Sequence, residues 1–326
     1  MSFLQTITPI NLLEEKEAFL LDQTKNPLFL YKDEIPEKKL NTYGVPQKAY
    51  LDLAKAILEK TYFGRNEQDL YMTKGRKLTQ SDVEKKVRGF LQLHKIEDRF
   101  NIIWSSSFVS RTTITSDTIK LRLPVDFRQE GLMGMLYHEI GTHALRRINY
   151  EQQPWYKKKK KYGFSKYLKT EEGIASLHSL LPHSYPSAFV AAIRYLAVHA
   201  ASSGSFLDTW NAVAPYVEDP HRRWTIVFRQ KRGVQDTSQP GGYTKDLVYF
   251  EGMVDVWNWL STQNFALADL YYGKMALEDV PKAVQLNPEF DPILPSFFTH
   301  DFVNYRKRML EIGEYNMFAQ CASTAL

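Results

Sequence analysis

The chain has 326 residues, 44% of them apolar and 24% charged, with 42 Lys+Arg against 37 Asp+Glu for a net charge of +5. Such a composition builds a sizeable core and excludes a disordered or low-complexity chain, and the weak basic excess does not single out nucleic acid as a partner. Cys321 is the only cysteine, which excludes an intrachain disulfide or a multi-cysteine zinc knuckle.

The N-terminal stretch MSFLQTITPINLLEEKEAF lacks the basic and apolar regions of a signal peptide. No apolar run reaches the roughly 20 residues that cross a bilayer, so a cytoplasmic location is expected; a bacterial protein exported into a host without a cleaved signal would read the same way. Residues 1–95 read as helices and loops, with helices over Asn11–Asp22, Gln47–Thr61 and Thr79–His94 and a Pro- and Lys-rich connection at 26–46. The strand signal lies in Phe100–Ser105 and Thr113–Leu123, where β-branched and aromatic residues alternate with polar ones. The second of these strands could also take a substrate backbone along its edge. Asp126, with Gln129 three residues on, is the expected cap of a helix running through His138-Glu-Ile-Gly-Thr-His143 to Ile148. Lys157 to Lys161 form an unbroken basic run, read as a solvated loop or as a docking patch for an acidic tail. Beyond it the pattern is helical, over 171–181, 187–202, 205–216, 221–231, 244–262, 264–276 and 299–318.

Two histidines on one helix with an adjacent glutamate form the strongest local signature for catalytic zinc. The usual spacing is four; here it is five, which at 100° per residue places the two side chains about 140° apart. The motif is therefore either accidental or carries one extra residue as a π-bulge, which brings positions five apart back into line. Gly141 eases such a distortion, and a bulge is expected around Ile140–Thr142. The third ligand is expected from Thr170-Glu-Glu-Gly-Ile-Ala175. Glu172, in a Glu-Gly-aliphatic-Ala segment of the kind that supplies a ligand in many helical zinc peptidases, is preferred, and Glu171 is the runner-up. Thr170 reads as the helix cap, and Gly173 as a point of close approach for the metal-bearing helix. A plain capping role for both carboxylates at the helix start is the competing reading.

Three blocks carry a resemblance to a known family: the His138-Glu-x-x-x-His143 motif, Thr170–Ala175, and the long segment Lys231–Gly252. Together they resemble the microtubule-associated tyrosine carboxypeptidases and their bacterial relatives, the QEGLA-motif proteins, over roughly residues 40–310. In the bacterial motif Gln precedes Glu-Gly, so only the second glutamate is shared, which favours Glu172. The resemblance implies a zinc carboxypeptidase, whose eukaryotic members remove the C-terminal tyrosine of α-tubulin. The chain leaves little room for the long N-terminal extension of those enzymes.

The expected chemistry is amide hydrolysis assisted by one zinc ion held by His138, His143 and Glu172, with Glu139 as the base. The substrate's terminal carboxylate needs a cation. Arg229, Lys231, Arg232 and Lys245 are candidates, and the Asp236–Gly242 loop could offer backbone N–H groups to an anion. Tyr243 and Tyr249 are candidates for oxyanion stabilisation. Arg232, Lys245 and Tyr249 are favoured. His178 is a candidate to orient a ligand. The expected fold is α+β, predominantly helical and zincin-like, with a small antiparallel sheet beside the metal-binding helix. Residues 1–45 are read as an N-terminal segment and 46–326 as one catalytic domain, a monomer acting on a peptide or protein tail, with no nucleic acid or membrane as partner. Two alternatives stay open: a zinc peptidase with another substrate, and a non-catalytic binder of acidic tails.

Overall fold

A computed structural model describes residues 3–72, 74–108 and 110–321. The longer elements in chain order are α1 (Leu12–Leu21), α2 (Lys48–Tyr62), α3 (Gln80–Leu93), β1 (Asn101–Ser105), β2 (Thr112–Ile114), β3 (Thr118–Arg122) and α4 (Gln129–His138). A π-helical turn, Glu139–Ala144, follows, then α5 (Leu145–Glu151), α6 (Leu168–Leu180), α7 (Phe189–Ser203), α8 (Phe206–Val213), α9 (Pro220–Lys231), α10 (Leu247–Thr262), α11 (Val280–Leu286) and α12 (Phe302–Tyr315). The expectation of a mostly helical α+β chain with a small sheet is met. No helix of the described residues is long and apolar enough to cross a membrane.

The chain divides into two units, one formed by residues up to Asp69 with Ser187–Glu251, the other by Leu70–Pro186 with the residues from Gly252 on. The expected boundary at 45/46 coincides with none of these crossings. In the first unit α7 packs against α2, α8 and α9. Phe19 on α1 meets Phe206 and Trp210 at 4.9 Å between ring centroids, and Trp224 closes the same aromatic core. Such edge-on pairs add to burial through the ring quadrupole.

In the second unit the sheet order is β1-β3-β2. β2 and β3 form an antiparallel hairpin, Thr112 opposite Leu121, while β1 joins β3 in parallel, Asn101 opposite Thr118. The sheet is thus mixed, not antiparallel. The stretch read as one strand breaks at Thr115–Asp117: the Thr115 N–H donates to the Thr118 carbonyl at 2.9 Å, and its hydroxyl to Asp117 at 3.1 Å. These bonds close a tight turn. Ile119 and Leu121 are buried on one face of β3 while Lys120 and Arg122 are only half-buried, the expected period of two.

Helix α4 begins at Gln129 without a side-chain cap, not at Asp126. Its first donors are used by the preceding backbone: the Gln129 and Glu130 N–H groups reach the carbonyls of Arg76 and Lys74, each at 3.1 Å. Two of the donors that a side-chain cap could serve are thus already taken. The helix expected over 264–276 is a short 3-10 turn, Ala268–Tyr271, in an otherwise irregular segment. Its carbonyls are taken by Arg146, as described next.

Candidate metal centre

Helix α4 winds into the π turn at Glu139, where the expected distortion is found. The wider turn needs partners for carbonyls that an α-helix would use internally. The Thr142 hydroxyl donates to the Tyr137 carbonyl at 2.9 Å, five residues back, and the Tyr271 hydroxyl donates to the Gly141 carbonyl at 2.6 Å. Because Thr142 has spent its only proton, it accepts from His178 Nδ1–H at 2.8 Å. His178 is buried, and burial with the nearby charges of Arg146 and His138 pushes its pKa down to about 3, so it stays neutral. His178 therefore fixes the turn and does not touch a ligand. A Cβ at Gly141 would lie 2.7 Å from the Phe297 ring, so that ring would have to shift to admit any larger residue.

The turn brings His138 and His143 together, their ring centroids 4.8 Å apart. Glu172 Oε2, from α6, lies 3.6 Å from His143 Nε2 and 4.0 Å from His138 Nε2. One ligand atom from each of the three falls within 4.8 Å of the others. Tetrahedral ligands about 2.0–2.2 Å from zinc stand about 3.4 Å apart. Two imidazoles and one carboxylate so placed therefore fit such an ion with small closure of the rings, and leave a coordination position open. Glu139 is half-buried beside this trio, and its carboxylate takes no hydrogen bond or ion pair among the described residues.

Glu171 has a different role from its neighbour. Its carboxylate is buried and accepts from His143 Nδ1–H at 2.7 Å, from Lys274 Nζ at 2.9 Å and from Arg146 Nη1. Arg146 is itself fully buried and donates to the carbonyls of Leu270 at 2.9 Å and Gly273 at 2.7 Å. Burial alone would raise the Glu171 pKa, but Lys274 and Arg146 outweigh it and hold the carboxyl well below its usual range. The carboxylate fixes Nδ1 of His143 as the protonated nitrogen and turns Nε2 towards Glu172. The two glutamates thus lie on opposite sides of the imidazole: Glu171 at Nδ1, Glu172 on the side of Nε2. Burial disfavours the His143 cation, yet Glu171 and Glu172 lift its pKa to about 10, whereas burial and the charge of His143 lower that of His138.

Helix α6 begins at Leu168, so Thr170 lies inside its first turn and is not its cap. The Thr170 hydroxyl instead accepts from the Leu277 N–H at 3.1 Å. The close approach of α6 to α4 is made at Gly134, where a Cβ would meet the Ser179 carbonyl at 2.5 Å. Gly173 serves another contact: a Cβ there would lie 2.2 Å from the Gly252 carbonyl on α10.

The substrate candidates lie in the first unit. Arg229 is committed to Asp246 through bonds of 2.6 and 2.7 Å. Lys231 is fully buried and donates to the carbonyls of Gly204, Gln239 and Gly241 at 2.6–3.0 Å. The 236–242 loop therefore turns carbonyls inward to a lysine, not N–H groups to an anion. Tyr243 is a core residue packed with Ile7 and Leu40. Arg232 lies over the Tyr243 ring at 5.0 Å, is 9% exposed, and its Nε has no hydrogen-bond partner among the described residues. Lys245 and Tyr249 are half-buried. Arg146, Thr142, Tyr271 and Lys274 were not singled out from sequence. A charged Arg146 one turn after His143 is a local signal; Tyr271 and Lys274 offer none.

A family model described as microtubule-associated tyrosine carboxypeptidase matches residues 30–318. The mouse protein named microtubule-associated tyrosine carboxypeptidase 1 is 34% identical over 325 residues, spanning 96% of this chain and 68% of its own length. The human protein of the same name is 33% identical over the same spans. On this evidence the chain belongs to the microtubule-associated tyrosine carboxypeptidase family.

Proposed function

We propose that this chain is a zinc-dependent carboxypeptidase of zincin-like fold that removes a C-terminal residue, tyrosine by analogy with its named relatives, from an acidic protein tail such as that of α-tubulin. The observation that carries the reading is the π turn, which makes a five-residue histidine spacing converge on Glu172. His138, His143 and Glu172 would hold one zinc ion per chain. Bound there, zinc supplies Lewis acidity to the scissile carbonyl and to the attacking water. Glu139, one residue from a ligand yet outside the trio, takes the proton of the water on its carboxylate and passes it to the leaving amine. Glu171 and Arg146 keep the His143 ring from turning.

For the cation that a terminal carboxylate needs, Arg232 and Lys245 remain the proposal, with Tyr249 proposed to stabilise the oxyanion. Arg232 is the strongest of them because a buried guanidinium with an unused N–H is costly unless a ligand completes it. A cytoplasmic monomer is the proposed working form.

The test is a panel of peptides ending in Glu-Glu-Tyr, with free and with amidated C-termini, assayed alongside metal analysis of the protein. Release of tyrosine from the free peptide alone is expected, with one zinc per chain. Glu139→Gln should retain zinc and lose turnover. Cleavage of the amidated peptide at an internal bond, or an unchanged rate in Glu139→Gln, would refute the assignment.

A further inference from the structure

The basic run is not the structureless solvated loop that its composition allows. A block of like charges left to itself stays extended and mobile. Here the backbone folds into successive turns: Lys158 N–H to Trp155 O and Lys161 N–H to Lys158 O at 2.9 Å, Phe164 N–H to Lys159 O at 3.1 Å. The turns rest on Trp155, which is fully buried against Phe164 at 5.1 Å between centroids. Two bonds from one neighbouring segment pin the far end, Lys282 Nζ to the Gly163 carbonyl at 2.7 Å and Ser165 N–H to Asp279 at 2.6 Å.

Within this frame the lysines divide. Lys159 turns inward, its Nζ over the Tyr167 ring at 3.4 Å and bonded to the Lys274 carbonyl. Lys157, Lys158, Lys160, Lys161 and Lys166 are exposed, and none forms an ion pair among the described residues. Lys274, which receives Lys159, also donates to the Glu171 carboxylate that holds His143. The cationic surface is therefore fastened, through two contacts, to the support of a proposed metal ligand.

We propose that the Lys157–Lys166 turn is a docking surface for an acidic polypeptide segment, the stretch of substrate upstream of the residue removed; this rests on the carboxypeptidase reading above. Holding five cations in a rigid turn against their mutual repulsion adds nothing to the fold, but it gives an anionic chain a preorganised partner. Nucleic acid is disfavoured, because the net charge is only +5 and the sequence carries no recognised nucleic-acid-binding motif.

The test compares two peptides with the same C-terminal residues, one preceded by five glutamates and one by five glutamines, in wild type and in K158E/K160E/K161E. Exposed charge pairs are individually weak, and three together amount to about a tenfold change. The preference for the acidic peptide, as a ratio of kcat/KM values, is expected to fall about tenfold, mainly through KM, and to flatten in wild type between about 50 and 300 mM salt. A ratio that the triple substitution leaves unchanged overturns the proposal. So does displacement of the labelled acidic peptide from Glu139→Gln by a single-stranded oligonucleotide of equal charge at lower concentration. The glutamine variant K158Q/K160Q/K161Q repeats the measurement if charge reversal impairs folding. Charge-dependent binding without hydrolysis in wild type would refute the carboxypeptidase reading and leave the docking surface standing.

Discussion

Two buried clusters of charge, one in each unit, solve the same problem differently. Around Glu171, every partner is paired: Arg146 has a carboxylate and two carbonyls, Lys274 shares the carboxylate, and His143 is turned by it. Around Asp246, Arg229 and Gln230 occupy the single carboxylate, and Arg232 is left over Tyr243 with an unpartnered Nε. Burial and the neighbouring Arg229 charge lower the Arg232 pKa to about 10, the sign of a cation held at a cost. The first cluster is complete within the fold and serves to fix a neighbouring imidazole. The second leaves one buried guanidinium N–H without an acceptor among the described residues.

The largest effect that would sharpen this contrast is in Arg146→Met. Removing one member of a buried pair leaves Glu171 charged and underpaired, and should destabilise the protein by about 3–5 kcal/mol. Zinc affinity should fall about 10–100-fold as His143 loses its support. Denaturant unfolding and competitive metal titration read the two, and an affinity unchanged at reduced stability would make the cluster purely structural. Gly173→Ala comes next. The new Cβ has nowhere to go between α6 and α10, and about 1–3 kcal/mol of overpacking is expected from thermal or denaturant melts.

Thr142→Val tests the clamp on the π turn. It strips the Tyr137 carbonyl and His178 of their shared hydroxyl, a loss of about 1–2 kcal/mol. If the turn relaxes, zinc affinity drops more than stability does; equal small changes in both would mean that the turn holds itself. The smallest stability effect is expected for Arg232→Met, within about 1 kcal/mol of wild type or slightly above it, since an incompletely paired buried cation is replaced by an apolar chain. A loss as large as that of Arg146→Met would erase the distinction between the clusters. The same variant should raise KM for a peptide with a free C-terminus.

How much of this was legible beforehand follows from the range of each interaction. The five-residue spacing led to the expectation of a π turn, which is found, because in a regular helix two histidines so spaced point about 140° apart. It could not announce what stabilises the turn: Thr142 lies inside the motif, but His178 and Tyr271 reach it from 36 and 130 residues along the chain. Glu171 and Glu172 are adjacent and chemically identical, so local pattern could rank them only by resemblance; Arg146 and Lys274 separate them physically. The segment 264–276 carries helical periodicity, but its carbonyls are claimed by Arg146 and its backbone at Gly273 reaches φ +130°, a tertiary demand that overrides propensity. The sheet was misjudged for a smaller reason. The three-residue break at Thr115–Asp117 divides an apparently continuous β pattern in two, and the parallel pairing of β1 leaves no trace in composition.

The extra residue in the π turn also has an evolutionary meaning. Deleting one residue between His138 and His143 would restore the commoner spacing of four in a single genetic event. A π turn absorbs its extra residue locally, so the deletion would leave a regular α turn and keep Arg146 and the buried Leu145 facing as they do. The loss would fall inside the turn instead. The residue removed would be Glu139, Ile140, Gly141 or Thr142, and with Thr142 or Gly141 would go the bonds to Tyr137, His178 or Tyr271.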